Sequence, residues 1–597
     1  MTVKERIASL RSLMKANSIN AYLVPSEDNH QSEYVGSYFK CREFMSGFTG
    51  SQGDLVVTAD KAGLWTDARY FIQAEHQLKD SGIKLYKMRE PGYPTLEEFL
   101  LSEIPQNGTL GFDGRVVAMR DGEAFQTILS KRGIAIDYSN DLVAKIWTDR
   151  PDLPKDPAFI LPEKYTGEST ASKLKRIRKV MNDVGANAHI LTTLDDICWI
   201  INLRGNDIDY SPMLLCYAII KPDSMDLYID KAKLSIEILD LLDKDSINVL
   251  PYNEIYEDVK NFNKNDCILI DPKKVNYAIY NNIPKETKKI EKTNPSNLFK
   301  AMKNDVEVKN FINAHIKDGV AVTKFMHWMK THVGKEKITE VSSAEKLEEF
   351  RKEGEGYLWQ SFEPICSYKE HAAIVHYSAT PETDVEVLPS HLFLSDTGGN
   401  YMEGTTDVTR TFVLGEISEE EIFHFTTVLR SMLGLADAKF LYGCTGYNLD
   451  ILARKPMWDI NLDFKHGTGH GVGYCLSVHE GPGGFRWQQL PYKDEAHILE
   501  KGMIISDEPG IYIENSHGIR LENLVVVKEG LKNEFGQFMY LEPITYVPID
   551  LDGVDVNALT NDERILLNVY HKKVYETISP YFSDSDKEWL KEYTREI

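Results

Sequence analysis

His391–Arg410 reads HLFLSDTGGNYMEGTTDVTR. An apolar run, Leu392-Phe393-Leu394, ends in Asp396, Gly398-Gly399-Asn400 follows as a turn signal, and TTDVTRTFVL carries Asp407. Gly-Gly-Asn between apolar and β-branched runs predicts a hairpin turning at 398–400. Asp396 and Asp407 then stand on adjacent antiparallel strands, close enough to share an ion. Two buried carboxylates repel, so an apolar strand tolerates them only with a counter-charge. An isolated pair of this kind is more often two turn or capping aspartates. The residues around it reverse that reading.

Three further segments add polar side chains. AAIVHYSA places His376 at the end of an apolar strand. HGTGHGVGYCLSVHEGPGG carries His466, His470 and His479 among glycines that let backbone approach closely. MIISDEPGIYIENSHGIRLENLVVV places Glu508 at the end of a strand over 503–506 and Glu522 within a strand over 519–527. Arg520 and Glu522, two apart, share a face of that strand. Four carboxylates with one imidazole suit Mn²⁺, Co²⁺, Fe²⁺ or a Zn²⁺ pair rather than a thiolate zinc. Two divalent cations would bring four positive charges against four carboxylates and leave a bridging hydroxide to be held and activated.

Each residue also has a plainer explanation. His376 reads equally as a hydrogen-bonded core histidine, and His466 as a residue behind the ligands. The i,i+4 spacing of His466 and His470 would mark a helical zinc pair only if the intervening glycines permitted a helix. GTGHGVG lacks the Lys-Ser/Thr ending and helical continuation of a phosphate loop.

At 597 residues the chain exceeds one core and predicts roughly three or four domains. Apolar content of 42% with 27% charged residues fits a soluble globular protein. The net charge of −23, spread without an acidic tail, argues against nucleic acid or an anionic membrane as partner. The seven cysteines are scattered without CxxC spacing, which disfavours a disulfide framework or thiolate metal site. MTVKERIASLRSLMKANS is a charged amphipathic helix rather than a signal peptide, and no apolar run reaches transmembrane length. A cytoplasmic address is the expectation.

The first half repeats itself. SKLKRIRKVMNDVGANAHILT (172–192) mirrors ERIASLRSLMKANSINAYLV, and MDLYIDKAK (225–233) mirrors AGLWTDARY, aligning Trp65 with Tyr228 and Asp67 with Asp230. A Pro-rich stretch, DRPDLPKDPAFILPEK (149–164), reads as a linker. The expected domains are 1–160 and 161–300, two related α/β units, then 301–597. The last opens with a long amphipathic helix from Asp305 to Val333 and a second over Val341–Lys352, and its tail, LTNDERILLNVYHKKVYETISPYF, is helical.

The ordered series Asp396, Asp407, His470, Glu508, Glu522, set in SDTGGNYMEGTTDVTRT, HGTGHGVG, VHEGPGG, SDEPGIY and GIRLENL, resembles the pita-bread metallopeptidases. Within them the chain is most similar to the Xaa-Pro aminopeptidase (aminopeptidase P) family in its long, three-domain cytosolic form. VPSEDNHQSEY (24–34), SGFTGS (46–51) and LWTDARYFIQA (64–74) extend the likeness to the start of the chain. The resemblance implies an α/β (α+β) architecture of two creatinase-like N-terminal domains and a C-terminal pita-bread catalytic domain with a helical extension. It implies removal of the N-terminal residue from peptides with proline second, by attack of a dimetal-bridging hydroxide.

By the same resemblance, Asp396 binds one metal, Asp407 and Glu522 bridge both, and His470 and Glu508 complete the other. The metals are a divalent pair, Mn²⁺ first, with Co²⁺ or Zn²⁺ as alternatives. Glu508 acts as acid and base, His376 and His479 flank the scissile carbonyl, and Arg69 reaches toward the far end of the peptide; His470 also borders the substrate. His466 and Arg520 stand behind the ligands. A homodimer through the catalytic domain is implied. Two departures from the family pattern occur: PICSYKEHAAIVHY lacks the usual glycine near Cys366 or Ser367 and has His371 where asparagine is common. FRWQQLPYKDEAHILEKG reads as a slightly lengthened surface loop.

Three other readings stand beside this one. A prolidase has the same chemistry but normally a single N-terminal domain, against the repeat. A creatinase-type hydrolase uses the fold without the metals, and a catalytically dead relative serving as a binding module has lost ligand carboxylates. All five ligand positions are intact here.

Overall fold

The computed structural model describes residues 1–489 and 497–597. The lengthened segment anticipated between His479 and Glu508 falls partly on 490–496, outside the described residues. The chain forms two compact units: Met1–Leu161 with Glu168–Ser296, and Pro162–Gly167 with Asn297–Ile597.

The first unit holds two six-stranded sheets. Numbered along the chain, the strands of each sheet lie in the order 4-3-2-1-5-6. The strand directions match as well: the first two neighbours of each long meander are antiparallel, and the outer crossovers are parallel. Trp65 in strand Ala62–Thr66 and Tyr228 in strand Met225–Ile229 occupy the same position of the third strand, so the sequence repeat is a repeat of topology. His30 ties the two sheets together. Its Nδ1 lies 2.8 Å from the Thr192 carbonyl, which only accepts, so Nε2 accepts from the Tyr252 hydroxyl at 2.6 Å. Burial lowers the affinity of this imidazole for a second proton, so it stays neutral.

The Pro-rich stretch is extended as far as a short strand, Phe159–Ile160, paired with Leu203–Arg204. The following turn of helix, Glu163–Thr166, belongs to the second unit, where Asn304 Nδ2 donates to Thr166 O at 2.8 Å. Asn304 is also the N-cap of helix Asp305–His332: its side chain accepts from Val306 and Glu307, and Glu307 reaches back to the cap. This capping box fixes the helix start where Asn-Asp-Val-Glu predicts it. Helix Glu340–Lys352 begins at Thr339 in the same way.

Strand Leu392–Thr397 runs antiparallel between Ile365–Tyr368 and Val408–Val413. The six-stranded sheet of this unit orders its strands as Lys439–Leu441, Gly536–Pro543, Asn523–Asn533, Ile504–Asp507, Gly469–Gly471 and Glu480–Phe485. Helices Glu419–Ala436 and Asn561–Ile578 cover the hairpin Gly510–Ile513/His517–Arg520, burying Phe425, Leu429, Ile511, Ile519, Leu567 and Val574 in one core. These layers leave the strand ends carrying the carboxylates facing one another.

The predicted turn at 398–400 is displaced. Gly399–Tyr401 is itself a strand, paired with Gly404–Thr405 and with Tyr357–Gln360, and the turn falls at Met402-Glu403. Gly398 serves close approach instead: a Cβ there would sit 2.0 Å from the Thr406 carbonyl and 2.2 Å from Ser361 Oγ. Two further local readings change. His376 does not end a strand; it lies in a turn after the 3₁₀ helix Lys369–Ala373. Glu522 is not inside a strand, because the chain leaves one strand at Arg520 and enters the next at Asn523.

Candidate metal centre

Asp396 opposes Thr409 across the central strand pair, which puts Asp407 just before strand Val408–Val413 and near the same end. His470 sits on the short strand Gly469–Gly471, where Gly469 and Gly471 admit the Ser506 and Glu480 carbonyls to 1.7 and 2.3 Å of where a Cβ would be. Ser506 grips this strand by accepting from His470 N–H at 2.9 Å. Glu508 follows strand Ile504–Asp507, with its N–H bonded to Thr468 O at 2.8 Å.

One ligand atom each from Asp407, His470 and Glu522 lies within 4.8 Å of the others. His470 Nε2 is 3.4 Å from Asp407 Oδ2 and 3.5 Å from Glu508 Oε1. Its Nδ1 is 3.0 Å from the Gly471 carbonyl, an acceptor only, so the Nδ1 proton is committed there. In the neutral ring the Nε2 lone pair then points among the carboxylates, the arrangement a metal ligand needs. Asp396 Oδ1 and Glu522 Oε1 meet no hydrogen-bond donor, although their residues are buried.

The electrostatics describe a site short of positive charge. Burial, then repulsion from Asp407, Glu508 and Asp396, pushes the Glu522 carboxyl well above the usual range. Burial also raises Asp396, against the opposing pull of Arg520, and lifts Glu508 to about 7. Burial disfavours charge on His470, but the Asp407 hydrogen bond and the Glu508 and Asp407 charges outweigh it and raise the imidazole to about 9. Oxygen-rich donors, two orphaned carboxylate oxygens and an imidazole Nε2 turned toward the carboxylates fit a pair of divalent cations.

Around these groups runs a chain of hydrogen bonds that local sequence reading only partly anticipated. Arg520 grips Asp396 Oδ2 through Nη2, and through Nε at 3.1 Å. Its Nη1 donates to the Tyr512 hydroxyl at 2.7 Å, which lies 2.9 Å from His466 Nε2. His466 Nδ1 faces the Gly467 carbonyl at 2.7 Å, and burial, then Arg520, holds this ring well below its ordinary pKa. Tyr512 therefore receives from Arg520 and donates to His466. Thr409 Oγ1 meets both Arg520 Nε at 3.2 Å and Glu522 Oε2 at 2.9 Å. Neither Tyr512 nor Thr409 was singled out by sequence. Their signal is even spacing along extended chain: Thr409 lies two residues after Asp407, and Tyr512 four after Glu508.

His479 stacks edge-on to His470, ring centroids 4.3 Å apart. His376 follows Val375, whose carbonyl lies 3.5 Å from Arg520 Nη2. Arg69 belongs to the first unit, where its guanidinium is held by Asp67 at 2.8 Å and faces Glu33 at 3.6 Å.

Compared with known proteins, residues 6–145 and 149–307 each match a creatinase/prolidase N-terminal domain. Residues 309–529 match metallopeptidase family M24, and 537–597 match the C-terminal region of that peptidase. Aminopeptidase P2 of Arabidopsis thaliana is 38% identical over 100% of this chain and 89% of its own length. The chain belongs to the Xaa-Pro aminopeptidase family of M24 metallopeptidases. Xaa-Pro aminopeptidase 1 of Dictyostelium discoideum is 36% identical, covering 99% of this chain and 96% of its own. Among solved structures, X-prolyl aminopeptidase from Caenorhabditis elegans, described as a cytosolic enzyme with a di-nuclear active site, superposes over 100% of both chains with a TM-score of 0.95 and 33% identity. An Xaa-Pro dipeptidase from Bacillus anthracis shares the fold over 64% of this chain, with a TM-score of 0.51 and 22% identity. As an Xaa-Pro aminopeptidase family member, the chain is a peptide-bond hydrolase whose N-terminal half is two creatinase-type domains and whose C-terminal half is the pita-bread domain. No helix among its described residues is long and apolar enough to cross a membrane.

Proposed function

We propose that this chain removes the N-terminal residue from peptides with proline in the second position, using two divalent cations held by Asp396, Asp407, His470, Glu508 and Glu522. The observation that carries the reading is the meeting of Asp407, His470 and Glu522 ligand atoms within 4.8 Å, beside two buried carboxylate oxygens, Asp396 Oδ1 and Glu522 Oε1, that meet no hydrogen-bond donor. The di-nuclear site described for the Caenorhabditis elegans enzyme supports it. Oxygen-rich donors favour manganese, with cobalt or zinc as substitutes. When bound, the cations supply Lewis acidity toward the peptide carbonyl and lower the pKa of water to near neutrality.

The protein's own groups handle the proton and the oxyanion. Glu508, poised near neutrality by burial, takes a proton from the attacking water and delivers it to the departing proline nitrogen. The new bond is carbon to water oxygen, the broken bond is carbon to proline nitrogen, and the products are a free amino acid and a peptide starting with proline. His376 and His479 donate to the carbonyl oxygen as its charge grows. An X–Pro amide has no N–H, so recognition through extended-strand backbone pairing is unavailable at that bond. A site that fixes register on the free amine avoids the difficulty.

We read the enzyme as cytosolic and as a homodimer through the catalytic unit. Ile451, Leu452 and Trp458 on helix Gly446–Trp458 are 44%, 40% and 41% exposed, an apolar face suited to a second copy. Arg-Pro-Pro incubated with the Mn²⁺-loaded protein should release arginine, while Arg-Ala-Ala stays intact. Equal cleavage of both would end the proline assignment, and cleavage of X–Pro dipeptides alone would make the protein a prolidase.

A further inference from the structure

Arg410 lies at the end of the stretch quoted first and takes no part in the chemistry above. It is fully buried and spends every N–H on a neutral acceptor. Nη1 donates to Glu522 O at 2.5 Å and Thr409 O at 2.8 Å. Nη2 donates to Asn523 Oδ1 at 2.7 Å, Val547 O at 3.0 Å and the Tyr570 hydroxyl at 2.7 Å, and Nε donates to Pro548 O at 3.1 Å. A guanidinium buried without a bonded carboxylate is costly, so its position calls for a reason.

The reason lies in the backbone at Glu522. Leu521 and Glu522 fall in the gap between strands His517–Arg520 and Asn523–Asn533, where no sheet ladder fixes the chain. Glu522 N–H finds Thr409 O at 3.1 Å, but its carbonyl finds Arg410. Arg410 is fixed in turn by Tyr570, on helix Asn561–Ile578 of the C-terminal extension; the Tyr570 hydroxyl donates to Val547 O at 2.7 Å. The helix thus reaches the gap through one side chain.

We infer that Arg410, locked by Tyr570, is a positioning residue that sets the Glu522 carboxylate for metal, making helix Asn561–Ile578 part of the metal centre. The inference rests on the proposed role of Glu522 as a ligand. Groups that orient metal ligands typically contribute 10–100-fold in metal affinity, so a loss of about tenfold or more is expected here.

The test is Mn²⁺ titration calorimetry of the metal-stripped full chain, with thermal melting of the same metal-stripped samples. Tyr570→Phe should bind Mn²⁺ about tenfold more weakly, and Arg410→Lys, which keeps charge but loses the fork, at least as weakly. His571→Gln is the control. His571 lies on the same helix as Tyr570 and its ring accepts from Ile549 N–H at 3.1 Å, so the substitution should lower the melting temperature without the affinity loss. If Arg410→Lys does not fold, Tyr570→Phe decides alone. Parental affinity in Tyr570→Phe, or an equal loss in His571→Gln, overturns the inference while leaving the metal site intact. A parent chain that binds no Mn²⁺ overturns both.

Discussion

Arg520 and Asp396, 124 residues apart, form a buried ion pair in which Arg520 Nε lies 3.1 Å from Asp396 Oδ2. The pair commits one carboxylate oxygen and leaves Oδ1 without a donor. A carboxylate held by one oxygen presents the other in a fixed direction, which is how a bonded neighbour tunes a metal ligand. The guanidinium is fixed in turn by Tyr512 and Thr409.

Arg520→Gln should therefore weaken Mn²⁺ binding by about 10–100-fold. Loss of a positive charge alone would favour a cation, but the guanidinium charge is already spent on Asp396, so lost orientation decides. Calorimetric titration of stripped protein measures this; unchanged or tighter binding would show that Asp396 needs no orienting partner.

Glu508→Gln should retain most of the metal while lowering kcat by about 10²–10⁴-fold, because an amide still offers an oxygen but cannot carry the proton. Metal content by atomic spectroscopy, read beside turnover of Arg-Pro-Pro, separates the two roles. A variant with parental turnover would remove Glu508 from proton transfer, and one stripped of metal would make it chiefly a ligand.

The turn that carries His376 is anchored through Glu340, which is fully buried in the first turn of its helix. Its carboxylate accepts from Tyr368 N–H at 2.7 Å, Tyr377 hydroxyl at 2.9 Å and His371 Nδ1 at 3.0 Å. The hydrogen bond to Glu340 raises the His371 pKa above its ordinary value against the effect of burial, with the charges of Glu340 and Glu370 adding to it. A histidine whose folded pKa exceeds its unfolded value stabilises fully below the unfolded value, about 6.5, and loses that contribution as pH rises through the folded one. His371→Gln should thus cost melting temperature at pH 6 and much less at pH 9. A difference that stays constant over that range would mean His371 is not charged against Glu340.

Sequence by itself determined the elements and the donor types. The capping box at Asn304 sets a helix start within one turn of chain, and the helical and strand periods of the first half repeat because each is encoded over a few neighbouring residues. Asp396, Asp407, His470, Glu508 and Glu522 are recognisable by the motifs around them. Tertiary structure decided what sequence spacing does not carry. After strand Leu392–Thr397 the chain enters a second strand, Gly399–Tyr401, where the glycines predict a turn, because Tyr357–Gln360 offers it a ladder. The strand ends before Glu522, Tyr512 joins Arg520 to His466, and Arg410 reaches Tyr570 across 160 residues. Such contacts depend on which strand ends are brought face to face. Sheet register and layer packing fix that choice, and local propensity is blind to both.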